Sequence, residues 1–344
     1  MQIAVISIRP DVLAETMAHF GHFMPWVDRW LVVTPEQSVR QFEIDGVETV
    51  LSDEEVTGLT AEQIHALDHT TRNTLIRGRL MSRDEIDDEL LMSDDDYRPL
   101  KPVEPDAFRV DGRIRCHYFY DLDAWPGIDT TYDDGLHNTR ELASDLGVGR
   151  LAYSSHMPHL VRSAHWREAW EIGARLLPDA PLDEWSVYFN IVRDRHPDDY
   201  AEPEPFRTLC WPEYPNEWPW WVRPEEYAFE NFYPGLYLPG HLFDGIPTSI
   251  DPEHAERHSL EKIVRWASFD RRAARLDFPD DVANPWTDGS PMRKASFGVL
   301  RRLQQAYRYV SLDERRQITE LQGTVARLED ELRRRRSRPS GDHW

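Results

Sequence analysis

Three adjacent aspartates, Asp94-Asp95-Asp96, carry the clearest chemical signal in this sequence. They follow the apolar run Leu90-Leu91-Met92, which is typical of a buried strand. Carboxylates crowded at the end of such a strand repel one another and are costly to remove from water. A divalent cation offsets that cost, and oxygen ligands suit Mg²⁺ or Mn²⁺, which often bridge carboxylates to phosphates. The motif therefore predicts a docking point for the diphosphate of a nucleotide sugar, with Asp94 and Asp96 on the metal.

The residues beside these two aspartates complete this hypothesis. Ser93 is assigned to the nucleotide, and Asp95 is an alternative metal ligand or a catalytic carboxylate. The competing interpretation is a solvated acidic turn, because the chain contains 62 acidic residues and such triplets are common.

A histidine in the segment His156-Met157-Pro158-His159 is the candidate for proton transfer. The proline fixes the local backbone, and histidine exchanges a proton near neutral pH. His156 could take the proton of an acceptor hydroxyl or give one to the leaving phosphate. The alternative is a histidine that is bonded to the backbone between a strand and a helix.

Four further residues are candidates for binding the donor nucleotide. Arg9 could contact diphosphate oxygens and Asp11 the ribose or base, because both follow the first predicted strand. Arg72 and Arg77, on the helix before the triplet, could neutralise phosphate charge. The alternatives are an ordinary Arg-Pro-Asp turn and solvated helix arginines.

The acceptor could bind to a loop rich in tryptophan and proline. Flat indole faces stack on pyranose rings, and adjacent carboxylates bond sugar hydroxyls. The candidate residues are Trp211, Glu213, Trp218, Trp220 and Trp221. His241 and Asp244, in a glycine-containing turn, are candidates for a further metal ligand or a base. The alternative for the loop is a proline-stiffened segment that buries its tryptophans.

Short apolar strands alternate with helices in the first part of the chain. Strands are predicted at residues 3–8, 30–34, 47–51 and 89–92, with helices at 12–23 and 60–83. The pattern predicts an α/β fold with a mostly parallel sheet, helices on both faces, and a ligand site beyond the carboxyl ends of the strands. Farther along, residues 109–120 are predicted to be antiparallel, 196–240 irregular, and 138–146, 165–177 and 259–269 helical.

A long helix is predicted over residues 296–336. Its apolar residues follow steps of three and four at Ile318, Leu321, Val325, Leu328 and Leu332. This seam either docks on the domain or pairs with a second chain as a homodimer. The arginines that follow, residues 333–336, suit a helix C-terminus, and the alternative is peripheral contact with anionic lipid.

Composition limits the class of protein. With 40 basic and 62 acidic residues, the net charge of −22 argues against a nucleic-acid partner. The two cysteines, Cys116 and Cys210, indicate neither a disulfide framework nor a zinc site. The N-terminus lacks a signal peptide pattern, and no apolar stretch is long enough for a transmembrane segment. We expect a soluble cytoplasmic protein.

Several segments, in order, resemble the Stealth family of sugar-phosphate transferases. Ser93-Asp94-Asp95 followed by residues 103–108 is similar to the family's L-N-D-D segment and the stretch after it. Residues 155–161 are similar to its A-H-M-P-H-M-I segment, with an Asn-Arg helix before it at 138–142. Residues 24–34 resemble its A-P-W-V segment. The resemblance implies that Asp94 and Asp95 bind metal and that His156 is catalytic.

The family's opening segment and its late L-N-D segment have no match here. The shared design nevertheless implies a glycosyltransferase-A-like sheet with an acidic Mg²⁺ or Mn²⁺ site. The function expected is metal-dependent transfer of a sugar from a nucleotide-diphosphate sugar to a glycan or protein hydroxyl. Sugar-1-phosphate transfer is the alternative within enzymes, and a non-catalytic carbohydrate-binding or assembly protein is the alternative outside them.

Three regions are expected along the chain. Residues 1–125 would bind the nucleotide sugar, and 126–295 would bind the acceptor within the same catalytic domain. Residues 296–344 would form the C-terminal helix and its basic tail.

Overall fold

The computed structural model describes residues 1–125, 130–154, 156–178, 180–206, 208–210 and 227–269. The tryptophan-rich segment and the predicted C-terminal helix with its basic tail lie outside these ranges. The expectations for Trp211, Glu213, Trp218, Trp220 and Trp221, and for the homodimer, therefore stay predictions.

The strands are β1 (Gln2–Ile6), β2 (Arg29–Thr34), β3 (Val47–Ser52), β4 (Glu89–Asp94), β5 (Tyr97–Pro99), β6 (Arg109–Val110), β7 (Arg113–Tyr118), β8 (Tyr120–Asp121), β9 (Leu151–Ala152), β10 (His159–Arg162), β11 (Tyr200–Pro205) and β12 (Phe229–Asn231). The α-helices are α1 (Pro10–Phe23), α2 (Asp53–Thr57), α3 (Ala61–His65), α4 (His69–Leu80), α5 (Thr131–Leu146), α6 (Ser163–Leu176), α7 (Glu184–Arg195) and α8 (Ala255–Phe269).

The central sheet has the order β10-β4-β1-β2-β3. The neighbours β4, β1, β2 and β3 are parallel, and β10 is antiparallel to β4. The apolar residues of β2 and β4 are buried, as expected for inner strands that are covered on both faces, whereas Val47 and Val50 of the edge strand β3 are half-buried. The predicted fold class, an α/β fold with a mostly parallel sheet and flanking helices, is confirmed.

Strand register brings the ends of three strands together. Ile6 of β1 pairs with Asp94 of β4, so the residues after both strands meet at one edge of the sheet. His159 of β10 pairs with Met92, which places the segment before β10 at the same edge. The Asp94 amide donates to the carbonyl of His156 at 3.2 Å. Ser93 and His156, which are 63 residues apart in sequence, are thereby held side by side at the end of β4.

The prediction of a single helix over residues 60–83 is wrong, because the structure has two helices there, α3 and α4. Each of the two helices has its own N-cap. The side chain of Thr60 accepts from the Gln63 amide in a capping box, and that of Asp68 accepts from the Thr71 amide. These local bonds satisfy the free amides at each helix start and favour a break between the helices.

Two other helices begin at least four residues earlier than predicted. A capping box between Thr130 and Asp133 starts α5 at Thr131 rather than at residue 138. Helix α8 starts at Ala255 rather than at 259. The predicted antiparallel pair at residues 109–120 is confirmed as β6 and β7, with Asp111 and Gly112 in the left-handed region at their turn.

A second, smaller hydrophobic cluster packs beyond β5. It includes Leu100, Leu209, Cys210, Leu236, Phe243, Ile246, Ile263 and Trp266. Both cysteines are buried. In the described part of the chain, no helix combines the length and the apolar character needed to cross a membrane.

Candidate active site

The three aspartates lie where β4 ends and turns into β5. Asp94 is the last residue of β4, and Asp95 and Asp96 form the turn. A backbone hydrogen bond holds this turn in place: the Phe232 amide donates to the Asp96 carbonyl at 2.8 Å. The side chain of Asp95 is almost fully buried, whereas those of Asp94 and Asp96 retain some exposure. The carboxylates therefore stand at the edge of the sheet, as the sequence predicts.

Asp95 is held by residues that follow β1. Ser7 Oγ donates to Asp95 Oδ2 at 2.5 Å, and Arg9 Nε donates to the same oxygen at 3.3 Å. Arg9 Nη2 bonds both Asp95 Oδ1 and Asp96 Oδ2, the latter at 2.8 Å. Burial raises the pKa of Asp95, although the bonds from Arg9 and Ser7 oppose the shift. Arg9, assigned from sequence to diphosphate oxygens, thus contacts the aspartates directly.

Asp96 is the least compensated carboxylate of the three. Burial, followed by the neighbouring Asp95 charge, raises the pKa of Asp96 to about 6, although Arg9 opposes the shift. A raised carboxyl pKa means that the negative form is destabilised by its surroundings. Additional positive charge beside Asp96 would therefore stabilise the site.

Asp94 has a different set of partners. Arg77 bonds Asp94 Oδ1 and Glu184 Oε1, and its guanidinium lies 5.0 Å from the centre of the Trp185 ring. His156 Nδ1 lies 2.7 Å from Asp94 Oδ2. Burial would raise the pKa of Asp94, but the His156 and Arg77 cations outweigh it and lower the pKa below its ordinary value. Of the two helix arginines, Arg77 is thus brought to the triplet.

His156 is positioned by an unusual backbone conformation. Its φ of 58° lies in the left-handed region, which costs energy for a residue other than glycine. Its ring lies next to Tyr132, with 6.1 Å between the ring centres. Burial lowers the pKa of His156, but the Asp94 charge outweighs it, so that the pKa is raised above its ordinary value. The histidine is thus held beside the triplet in a form that favours the proton.

Ser93 is buried and acts on the backbone. Its hydroxyl lies 3.1 Å from the Asp94 carbonyl and 3.5 Å from that of His156. These contacts order the turn, and a nucleotide-binding role for Ser93 stays a prediction.

Other candidate residues are placed without a described contact to the triplet. Arg72 Nη2 lies 3.1 Å from His69 Nδ1, and Asp11 is exposed in the first turn of α1. Asp244 Oδ2 accepts from the Gly240 amide at 2.9 Å, within the same turn as His241. That turn packs on the smaller hydrophobic cluster through Phe243. The roles assigned to Arg72, Asp11, His241 and Asp244 stay predictions.

Besides Ser7 after β1, two site residues on distant helices were not predicted from the sequence, Glu184 and Tyr132. Glu184 begins α7 and completes the buried Arg77 pair, and Thr74 Oγ1 donates to it at 3.1 Å. Tyr132 lies in the first turn of α5. Neither residue belongs to a motif, because each reaches the site only through the packing of a distant helix.

The chain matches no family model and no curated protein sequence. Solved structures with similar folds include a galactosyltransferase, LgtC, in complex with donor and acceptor sugar analogs (10% identity, TM-score 0.40, covering 75% of this chain and 95% of that one). The match to mouse xyloside xylosyltransferase 1 in its apo form (10% identity, TM-score 0.42) covers 69% of this chain and 99% of that one. The match to the apo-form glycosyltransferase GlyE of Streptococcus pneumoniae TIGR4 (9% identity, TM-score 0.36) covers 81% of this chain and 65% of that one. These TM-scores mark distant likenesses.

Proposed function

We propose that this protein is a glycosyltransferase that moves a sugar from a nucleotide-diphosphate sugar to a hydroxyl acceptor. One observation carries the proposal. At the carboxyl edge of a mostly parallel sheet, three aspartates meet two arginines and a histidine. Ligands of such sheets bind beyond this edge. The set contains groups for holding a diphosphate and for moving a proton.

The residues present fit a divalent cation. The donors are carboxylate oxygens, which Mg²⁺ and Mn²⁺ prefer, and the raised pKa of Asp96 shows negative charge that is not fully balanced. Asp96 would hold the ion, with Asp94 or Asp95 as the second carboxylate. When bound, the ion would offset the charge that develops on the departing nucleotide. The identity of the metal and its requirement belong to the proposal.

Arg9 supplies a cation that can face the donor. Its side chain is 42% exposed, and the described bonds to Asp95 and Asp96 use Nε and Nη2. The Nη1 donors can therefore serve a phosphate oxygen without the loss of those bonds. In this way Arg9 orients the diphosphate beside the aspartates.

His156 would move the proton. Its Nδ1 faces Asp94, which holds the ring beside the triplet. The raised pKa keeps the ring protonated at higher pH than an ordinary histidine, which favours donation to the leaving phosphate. The neutral ring could instead accept the proton of the acceptor hydroxyl. Arg77 and Glu184 would not touch the substrate but would hold Asp94, and through it His156, in place.

The same residues allow two alternatives. Transfer of sugar-1-phosphate, as the Stealth resemblance implies, would release a nucleoside monophosphate, whereas glycosyl transfer releases a nucleoside diphosphate. A carbohydrate-binding protein on a transferase scaffold would bind glycans without turnover. A glycan or protein acceptor bound by the tryptophan-rich loop, and a cytoplasmic location, complete the proposal.

A screen of nucleotide sugars tests the proposal. The melting temperature of the full chain is measured with UDP-, GDP-, dTDP- and CMP-sugars, with and without Mn²⁺. Binding to the native state raises its stability, so one nucleoside-diphosphate sugar should raise the melting temperature when Mn²⁺ is present. Asp96→Asn should lose the shift, and Asp145→Asn, an exposed aspartate on α5, should keep it. Glycan binding without any response to nucleotide sugars would favour the carbohydrate-binding alternative.

A further inference from the structure

A second group of metal-ligating side chains lies at the other end of β4 from the triplet. His165 is in the first turn of α6, His196 follows α7, and Asp199 precedes β11. One ligand atom from each residue lies within 4.8 Å of the other two, and no other such group occurs among the residues described here. We propose that His165, His196 and Asp199 form a site for a transition-metal ion of the Zn²⁺ type.

The position of this group separates it from the aspartate triplet. Arg162 of β10 pairs with Glu89, the first residue of β4, whereas the triplet begins at the last residue of that strand. Arg162 Nη1 also lies 2.8 Å from Asp199 Oδ1. The histidine group is therefore tied to the amino end of β4, away from the diphosphate edge.

The donor types select the metal. Imidazole nitrogen together with carboxylate oxygen suits Zn²⁺ and its transition-metal neighbours, whereas an all-oxygen set suits Mg²⁺ or Mn²⁺. Two imidazoles and one carboxylate leave a position for water in a four-coordinate site. The histidine group and the triplet should therefore prefer different ions.

The surroundings orient the ligands. His165 Nδ1 lies 2.9 Å from the Tyr200 hydroxyl, which leaves Nε2 on the side of Asp199, 4.0 Å from its Oδ2. His196 Nε2 lies 2.7 Å from Glu168 Oε2. Metal-bound histidines commonly have such a partner on the second ring nitrogen. Each imidazole is thus held on one side, as metal-binding histidines are.

The two rings stack with centres 3.9 Å apart and planes within 4° of parallel. Because ring lone pairs lie in the ring plane, one ring must tilt before both can bind one ion. The side chain of His196 is 30% exposed and lies just past the end of α7, so it has room to rotate. The His165 side chain, at 15% exposure, is the more fixed of the two.

Charge at the site accommodates a cation. Asp199 is balanced by Arg162, and Glu168 is balanced by Arg195 at 2.7 Å. Both arginine side chains are partly exposed and can turn toward water when an ion takes their place. A bound ion would then join α6 to the segment between α7 and β11, and would raise the stability of the native state.

Metal titration of the full chain tests this proposal. After removal of metals with EDTA, Zn²⁺ binding is followed by calorimetry and Co²⁺ binding by its visible absorption. The wild type should bind one ion at the histidine group, with a spectrum of nitrogen and oxygen ligands. His196→Gln should weaken Zn²⁺ affinity by about 100-fold or more, since even outer-shell losses reach that range. His165→Gln should do the same.

Two controls make the result specific. His254→Gln removes one member of a second pair of neighbouring histidines, His254 and His258, whose ring centres lie 6.0 Å apart. Asp96→Asn changes the aspartate triplet. Both should keep Zn²⁺ affinity, so the site is tested independently of the proposed transferase activity. Absence of Zn²⁺ binding in the wild type, or full affinity in a folded His196→Gln variant, would overturn the proposal. Loss of affinity in His254→Gln alone would overturn it as well.

Discussion

His156 Nδ1 lies 2.7 Å from Asp94 Oδ2, and the Asp94 amide donates to the carbonyl of His156. The two residues are therefore joined through both backbone and side chain. These two contacts connect the proposed proton donor to the aspartate triplet, beside which the diphosphate would bind. It also accounts for the opposite pKa shifts, because each charged form stabilises the other.

Replacement of His156 by asparagine isolates its chemical role. Asparagine tolerates the left-handed backbone, so the segment should keep its shape. We expect kcat to fall by about 10²- to 10⁴-fold in a variant that still folds, the range typical of a general acid or base. His22→Asn, at an exposed position on α1, serves as the matched control. A His156→Asn enzyme with wild-type kcat would exclude the proton role.

The buried Arg77 pair is expected to be essential for stability. Arg77→Met leaves Asp94 and Glu184 without their shared cation, and loss of one partner of a buried pair costs about 3–5 kcal/mol. Urea unfolding measures the loss. Arg77→Met/Glu184→Gln should recover part of it, because one uncompensated charge is removed.

An exposed pair provides the comparison for Arg77. Arg83 bonds Glu85 at 2.8 Å on the surface, and Arg83→Met should change the unfolding free energy by less than about 1 kcal/mol. Equal, small effects of Arg77→Met and Arg83→Met would contradict the importance assigned to the buried pair.

A close helix contact is expected at Gly78 of α4. A Cβ at this position would lie 1.6 Å from Nε1 of Trp170, whose indole donates to the Thr74 carbonyl at 3.0 Å. Gly78→Ala should therefore destabilise the protein by about 1–3 kcal/mol through overpacking. Gly21→Ala on α1 meets nothing within 4 Å and should stabilise by about 0.5–1 kcal/mol. Thermal unfolding of both variants gives the comparison, and a stabilised Gly78→Ala would refute the contact.

Stability should fall in mild acid because of His19. Burial, followed by the Arg98 charge, lowers the pKa of this histidine to about 4. Between its ordinary pKa near 6.5 and 4, the unfolded chain binds a proton that the native state excludes. The free energy of unfolding therefore decreases as the pH falls through this window, by about 1.4 kcal/mol per pH unit from this group.

His19→Gln removes that proton linkage. The loss of stability between pH 7 and pH 5 should be smaller than in the wild type by about 2 kcal/mol. Urea unfolding at both pH values provides the measurement. An unchanged difference between the two pH values would show that His19 is not buried in its neutral form.

The sheet and the triplet could be predicted from sequence because their signals are local. Buried parallel strands form near-continuous apolar runs, and Asp94 follows such a run directly. The proximity of Arg9 to the triplet followed from the rule that parallel strands end at the same edge. That Arg9 bonds Asp95 and Asp96 could not be predicted, since the choice of partner depends on side-chain packing.

Contacts between helices that are distant in sequence could not be predicted from the sequence. Glu184 meets Arg77 across 107 residues, and His196 meets His165 only because α6 and α7 pack together. The break between α3 and α4 was missed for a different reason. There the caps at Thr60 and Asp68 outweighed a helical spacing of apolar residues that runs through both helices.

Product analysis is the most direct test of the proposed transfer. The wild type is incubated with Mn²⁺, an acceptor and the nucleotide sugar that raises its melting temperature. The released nucleotide is then identified. We expect a nucleoside diphosphate, with release reduced at least about 100-fold in Asp96→Asn. Release of a nucleoside monophosphate would instead establish sugar-phosphate transfer. Equal release by the wild type and Asp96→Asn would contradict the role given to the aspartate triplet.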